Sequence, residues 1–480
     1  MKLNKYILLT ALCCIFCFHV YPQNILQSKE YPQDFRQPLD LSPVLAGSFG
    51  EIRSNHFHSG LDYRTNQREG YPVYATSDGF ISRLRVQLGG FGNAVYISHP
   101  NGYTSVYAHL QRFNVRIGQV VKDFQYRRES FDVDFPLTSI EIPVNKGDII
   151  GWSGNTGGSA GPHLHFELRD SKTEETINPQ LFGLNVPDNV KPILTGLYMY
   201  RLNGFPFAEN TPNQYFQITG ADGTYTLNQS LVINFNGEIA FGISAYDQQI
   251  RGGNKNGIYS IELFLDDTII YTSTMERFAF ADSRAINSYI DYPALLSYGR
   301  TIQKSFIESG NPLTLYTGTV NKGVINLTDD EVHELSYRVK DIKGNTSNLT
   351  FRVKRNPKAV IMPAKNSGQK TFSYVDSNLF NSDRLKIIIP KGALYSDINF
   401  KYAIGSKSSN SYSAIHHIHT RLIPLHKNYQ LWIKPDVAIT GYLKEKAVIV
   451  DSRGIYQGGV WDNGFLKGSP KTFGSFYIRL

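Results

Sequence analysis

Apolar and polar residues alternate in short runs along most of this chain, and Gly, Asn, Asp and Pro break the runs before a helical spacing can develop. Residues 92–98 and 103–109 are two such runs on either side of His99-Pro100-Asn101-Gly102, and Asn-Gly between alternating runs predicts a β-hairpin. A second hairpin is expected around residues 154–162. Residues 258–265, 335–339, 385–390 and 475–479 alternate in the same manner. No long amphipathic helix is expected. The pattern therefore predicts a mainly β protein, with a Gly-rich first domain at residues 40–188 and two β-sandwich-like modules at 190–355 and 356–480. Residues 123–143, both charged and aromatic, separate 117–122 from 144–151 and read as an insertion in the first domain.

Composition changes this picture at the N-terminus. At roughly 100–200 residues per domain, 480 residues suit about three domains, and the 30 Tyr and 29 Phe favour strands. Lys2 and Lys5 precede an apolar run over residues 6–20 that ends at Tyr21-Pro22-Gln23. This predicts a secretory signal peptide at residues 1–23, because the run is too short for a membrane span; an uncleaved anchor is the alternative. The expected location is outside the cytoplasm: periplasmic, associated with the cell envelope, or secreted. Cys13, Cys14 and Cys17 all lie in this segment, so the mature chain has no thiol for a disulfide, for thiol catalysis or for a Cys-ligated metal. The formal charge of +8 suits attraction to anionic walls or membrane surfaces. No basic run carries interleaved aromatics, so nucleic acid is not an expected partner.

Six of the 12 histidines fall within residues 40–185. Alternate side chains of a strand share a face, so His163 and His165 point one way while Leu164 and Phe166 point into a core. Two imidazoles on one face can begin a metal site, and His58 or Asp62, from Asn55-His56-Phe57-His58-Ser59-Gly60-Leu61-Asp62, can supply the third ligand. His109 ends the strand of Tyr107-Ala108-His109-Leu110, near enough to reach the same site. His56 could compete with His58 or line the cleft. His99 reads as an ordinary hairpin residue. The cluster His416-His417-Ile418-His419 has no carboxylate pair nearby and makes a poor second metal site. Residues 151–161 lack the Gly-Lys-Ser/Thr ending of a phosphate loop.

Taken in order, His58-x3-Asp62, Tyr107-x-His109-Leu110 and His163-x-His165 resemble the LytM/lysostaphin-type zinc metallopeptidases, a family of cell-wall endopeptidases, over residues 45–185. Gly70-Tyr71-Pro72-Val73-Tyr74-Ala75, Gly92-Asn93-Ala94-Val95-Tyr96-Ile97 and Gly154-Asn155-Thr156-Gly157 match as well. The resemblance implies a small antiparallel β-sheet crossed by a groove. It also implies one zinc ion per chain held by His58, Asp62 and His165, with His109 and His163 doing the catalytic work on a zinc-activated water. The implied substrate is peptidoglycan, cut at its peptide cross-links. The alternatives are a regulatory member that activates another wall hydrolase, or a peptidase of secreted proteins. The insertion is expected to act as a lid on the groove or to pack as a hairpin against the C-terminal modules. Residues 190–480 resemble no catalytic domain. Residues 339–347 resemble the penultimate turn of bacterial immunoglobulin-like modules, and the C-terminal β modules could dock cell-envelope proteins. Because every motif residue precedes position 188, a fragment ending there is expected to carry the complete zinc site.

Overall fold

The computed structural model describes residues 25–227, 231–359 and 370–480. The expected signal peptide and its three cysteines lie outside the described residues. Strands are the main regular structure of the described residues.

The strands that matter for the site are β1 (Leu45–Gly47), β2 (Leu61–Arg64), β3 (Gly79–Val86), β4 (Ala94–Ser98), β5 (Tyr103–Ala108), β6 (Val133–Pro136) and β7 (His163–Asp170). They form one antiparallel sheet in the order β1-β2-β7-β5-β4-β3-β6. The hairpin at Asn101-Gly102 is present as β4–β5, with Gly102 at φ +85°, the left-handed turn that an L side chain rarely adopts. The central strands β4, β5 and β7 are buried along almost their whole length. On one face Leu61, Tyr63, Tyr107, Leu164, Phe166 and Leu168 pack into the core. The other face carries Asp62, His163, His165 and Glu167.

Two local expectations fail. Residues 154–162 do not close a hairpin. Ile149–Trp152 instead joins a separate three-stranded sheet with Pro72–Tyr74 and Arg112–Phe113, and only the bridge Gly154–His163 links it to β7. A 14-residue helix, α1 (Val115–Arg128), also stands where no long helix was expected. Ile117, Val120, Val121 and Phe124 recur at i, i+3, i+4 and i+7 and face the core, and the Asn114 side chain caps the first turn by accepting from Ile117 N–H.

The insertion is thereby reassigned. Its first half completes α1, and its second half supplies β6, an edge strand on β3 at the far side of the sheet from β2. Val133 and Phe135 are buried in the core of the first domain, where Phe124 stacks on Phe135 with ring centres 3.8 Å apart. No residue of 123–143 lines the cleft, and residues 133–136 pair with β3 of the first domain's own sheet. The lid does not describe it.

The second region is a two-sheet sandwich. Leu197, Met199, Phe241 and Ile243 of a four-stranded sheet face Leu263, Tyr271, Tyr337 and Phe351 of an eight-stranded one. The third region packs two five-stranded sheets around Ile387, Leu431, Ile449 and Phe476. The sandwich reaches back into the first domain. The two-residue strand β8 (Thr176–Ile177) pairs with β7 on one side and with β9 (Arg277–Phe278) on the other. Met275, Phe278, Ile286, Tyr289, Leu313 and Leu315 join the core of the first domain, and Phe57 touches both Phe278 (5.4 Å between ring centres) and Tyr289 (5.5 Å).

Candidate metal centre

The register of β2, β7 and β5 builds the site. His165 lies directly across from Asp62 on one side and from Ala108 on the other, so a methyl group leaves room for the imidazole. His109 follows at the end of β5 with φ +64°, which turns it out of the sheet towards β7. His58 enters on the short loop before β2.

His58, Asp62 and His165 each offer one ligand atom, and all three residues are buried. His58 Nε2 is 3.0 Å from Asp62 Oδ1 and 3.1 Å from His165 Nδ1, and His165 Nδ1 is 2.8 Å from Asp62 Oδ1. The outer nitrogens set the tautomers. His58 Nδ1–H donates to the Ser48 carbonyl at 2.8 Å, and His165 Nε2–H donates to Glu167 Oε1 at 2.9 Å. Both inner nitrogens then present lone pairs beside a carboxylate, an arrangement that calls for a cation at their centre. Ligands about 2.0–2.1 Å from a tetrahedral zinc lie roughly 3.3 Å apart, close to the separations seen. The residues fit the metal that the motifs imply.

Electrostatics point the same way. Burial alone would raise Asp62, but His58, His163 and His165 overcome it and hold the carboxylate well below its usual range. Burial lowers His58. For His165 burial also lowers the pKa, yet Asp62 and Glu167 outweigh it and lift the ring to about 9. The pocket thus favours a positive charge at this point, a proton on His165 Nδ1 when no metal takes its place.

Two more imidazoles flank this centre. His109 Nδ1–H donates to the Thr156 carbonyl at 2.9 Å, leaving Nε2 free, and burial together with His165 and His163 pushes its pKa down to about 4. His163 Nδ1 bonds the Gly161 carbonyl at 2.8 Å, and its Nε2 is 3.5 Å from Asp62 Oδ1. The two rings are 4.8 Å apart. They open on a cleft of about 780 Å³ bounded by Arg53, His56, Phe91, the loop at residues 158–162 and, from the second region, Phe280.

Every site residue named from the sequence gathers here. His56 lines the cleft with its Nδ1 turned back to the Ser54 carbonyl, away from the three ligands. His99 is structural, held between the Asp78 carbonyl and Ser105 Oγ. His416 stacks on Tyr402 within the third region. Sequence reasoning assigned no role to Glu167, which is fully buried and receives His165, Ser59 Oγ (2.5 Å) and Arg169 Nε (2.7 Å). Its signal was present, since Glu167 continues the period of two from His163 and His165. Arg53, donating to Asp62 Oδ2 at 2.8 Å, left no such signal.

The family model described as peptidase family M23 matches residues 56–126, which hold the first two motifs. This is a LytM-type M23 peptidase domain. Over 131 residues the chain is 36% identical to the DD-carboxypeptidase/endopeptidase Mpg of Neisseria meningitidis, an alignment covering 27% of this chain and 24% of that protein. It is 34% identical over 143 residues to the peptidoglycan DD-endopeptidase ShyC of Vibrio cholerae, covering 28% and 25%. The chain thus spans about a quarter of the length of these relatives. The catalytic domain of the antimicrobial peptidase lysostaphin from Staphylococcus simulans is 25% identical, with 29% of this chain and 91% of that one covered and a TM-score of 0.21. Beyond the M23 domain, a Zu5-like domain model matches residues 369–480, a family that the sequence analysis did not name for that β region.

Proposed function

We propose that the M23 domain is a zinc-dependent endopeptidase that hydrolyses the peptide cross-links of peptidoglycan outside the cytoplasm. The observation that carries this reading is the convergence of two imidazole lone pairs and one carboxylate at the floor of an open cleft, beside two further histidines whose Nε2 atoms are uncommitted to the protein backbone. His58, Asp62 and His165 would hold one zinc ion per chain. When bound, zinc supplies a Lewis acid and a hydroxide at neutral pH. His109, kept neutral by burial, is the proton acceptor, and the Thr156 carbonyl fixes its tautomer. His163, the adjacent ring, has its Nδ1–H held by the Gly161 carbonyl, so it is placed to donate a hydrogen bond from Nε2 to the developing oxyanion in its doubly protonated form. Glu167 and the Ser48 carbonyl orient the ligand imidazoles. The names of the M23 relatives support the substrate, and the basic and apolar N-terminus supports export. All five motif residues are present, which favours an enzyme over a regulator that has lost its ligands. The Zu5-like region and the sandwich offer surfaces for envelope partners.

His109→Ala and His163→Ala separate catalysis from metal binding. Each is expected to lower the rate of muropeptide release from purified peptidoglycan by about 10²–10⁴-fold. Zinc content should stay at one per chain by elemental analysis. A loss of zinc from either variant would make that histidine a ligand rather than a catalyst.

Metal uptake should depend on pH with a definite sign. Below about pH 9 the metal-free site carries a proton on His165 that zinc must displace, whereas His58 and Asp62 are already deprotonated at neutral pH. Zinc binding at pH 7 is therefore expected to release about one proton, and the apparent affinity should rise about tenfold per pH unit before levelling near pH 9. Calorimetry in two buffers of different ionisation enthalpy counts the proton. Zero protons released would show that His165 enters the site already neutral.

A further inference from the structure

Asp188, Asp247 and Asp341 lie far apart in sequence, yet their ligand atoms all come within 4.8 Å of one another. Asp188 sits on the segment leaving the M23 domain. Asp247 follows the strand Ile239–Tyr246, and Asp341 opens the turn between Val332–Lys340 and Thr346–Arg355. Asp247 and Asp341 are buried. Asp341 is anchored in place, accepting from the backbone N–H groups of Lys343 and Asn345 and from Asn345 Nδ2, and Asp188 Oδ1 accepts from Val190 N–H.

The second observation concerns Asn256, whose backbone pairs with Asp247. The residue is 6% exposed, and its Oδ1 has no hydrogen-bond partner; Asp247 Oδ1, in a residue 4% exposed, has none either. Both residues line the same cavity of about 20 Å³, together with Asp188 and, from the M23 side, Ser48 and Asn178. Two orphaned buried acceptors, on two residues that line one small cavity, are costly unless something positive lies between them. Lys343 lies near Asp341 and Asp188, but its Nζ donates to Asn185 Oδ1 at 2.6 Å. Burial and the two neighbouring aspartates push the Asp247 carboxyl up to about 8, and among the described residues no cation offsets them.

We propose that Asp188, Asp247 and Asp341, with Asn256 Oδ1, form a calcium site at the junction of the M23 domain and the sandwich. The donors are all oxygen, with no histidine or thiol, which selects a hard cation. Magnesium retains several waters, and a cavity of about 20 Å³ has room for roughly one, whereas calcium accepts a shell of protein oxygens at 2.3–2.6 Å. The ion fastens the segment that leaves the M23 domain to two turns of the sandwich. It is chemically distinct from the His-rich centre, so the two metals can be assayed apart.

The experiment uses the full chain, zinc-loaded, in chelator-treated buffer resupplied with zinc. Calcium is expected to bind at one extra ion per chain by equilibrium dialysis, with a dissociation constant of about 10⁻⁴–10⁻³ M, as in extracellular modules. It should raise the melting temperature by several degrees, with magnesium giving a smaller shift. Asp247→Asn should abolish the calcium response, leave zinc content unchanged, and melt at or above the wild-type temperature in calcium-free buffer because a buried repulsion is removed. Should that variant fail to fold, Asp188→Asn, on the more exposed ligand, carries the same expectation of a lost calcium response. The proposal is overturned if no calcium binds at about 5 mM, if magnesium shifts the melt equally, or if the folded variant responds as the wild type does.

Discussion

Asp62→Ala protein is expected to bind no zinc and to release no fragments from purified peptidoglycan, while its circular dichroism matches that of the wild type. Asp62 Oδ1 is the one anionic member of the ligand set, 2.8 and 3.0 Å from the two inner imidazole nitrogens. Without it, two neutral rings remain to hold a dication. Removing a mere outer-shell partner of a metal ligand costs about 10–100-fold in affinity, so loss of a ligand should exceed that range. Asp62→Asn is the finer probe, since it keeps an oxygen and removes the charge; it should retain weak zinc binding. Arg53, the other partner of Asp62, is partly exposed and can turn to water or to Glu51, so the fold should survive. Zinc at one per chain in Asp62→Ala, or hydrolysis comparable with wild type, would refute the assignment of the centre.

A fragment ending near residue 188 is expected to be insoluble or unfolded, although it contains every motif residue. The motifs place every zinc ligand in such a fragment and leave its solubility open. The M23 core is completed from the sandwich: Met275, Phe278, Ile286, Tyr289, Leu313 and Leu315 are buried in it. At about 1.5–3 kcal/mol for each large apolar side chain buried, losing even four of these contacts removes roughly 6–12 kcal/mol. A whole domain is stable by only about 5–15 kcal/mol. The cut also strips β9 from β8 and bares its edge. A fragment of residues 25–359, which keeps these parts, should fold and take up zinc. The comparison is by size-exclusion chromatography and thermal melting. A monomeric 25–188 fragment that melts cooperatively within a few degrees of the longer one would show that the sandwich is dispensable.

The centre was legible in the sequence because its geometry is local. Two residues along a strand return a side chain to the same face, so His163-x-His165 needs only one correct strand, and the neighbouring strands set the rest by register. The same period extended to Glu167, where it could have been followed. The helix Val115–Arg128 was misread because Ile117-Gly118-Gln119-Val120-Val121 carries β-branched residues and a glycine, yet its spacing of three and four is helical. The expected hairpin at 154–162 failed because Ile149–Trp152 pairs with strands far earlier in the chain, at Arg112–Phe113 and Pro72–Tyr74. Asp188, Asp247 and Asp341 could not have been connected at all, since three separate turns bring them together.

Strand β9 also sets a clock. A chain is made from its N-terminus at about 5–20 residues per second, and β9 follows its partner β8 by about 100 residues. For roughly 5–20 s the histidine motifs exist with no closing strand and no cover for Phe57, and long-range pairings of this kind are intrinsically slow to form. Maturation of the cutting centre is therefore a late event, tied to the arrival of a module that supplies none of its ligands.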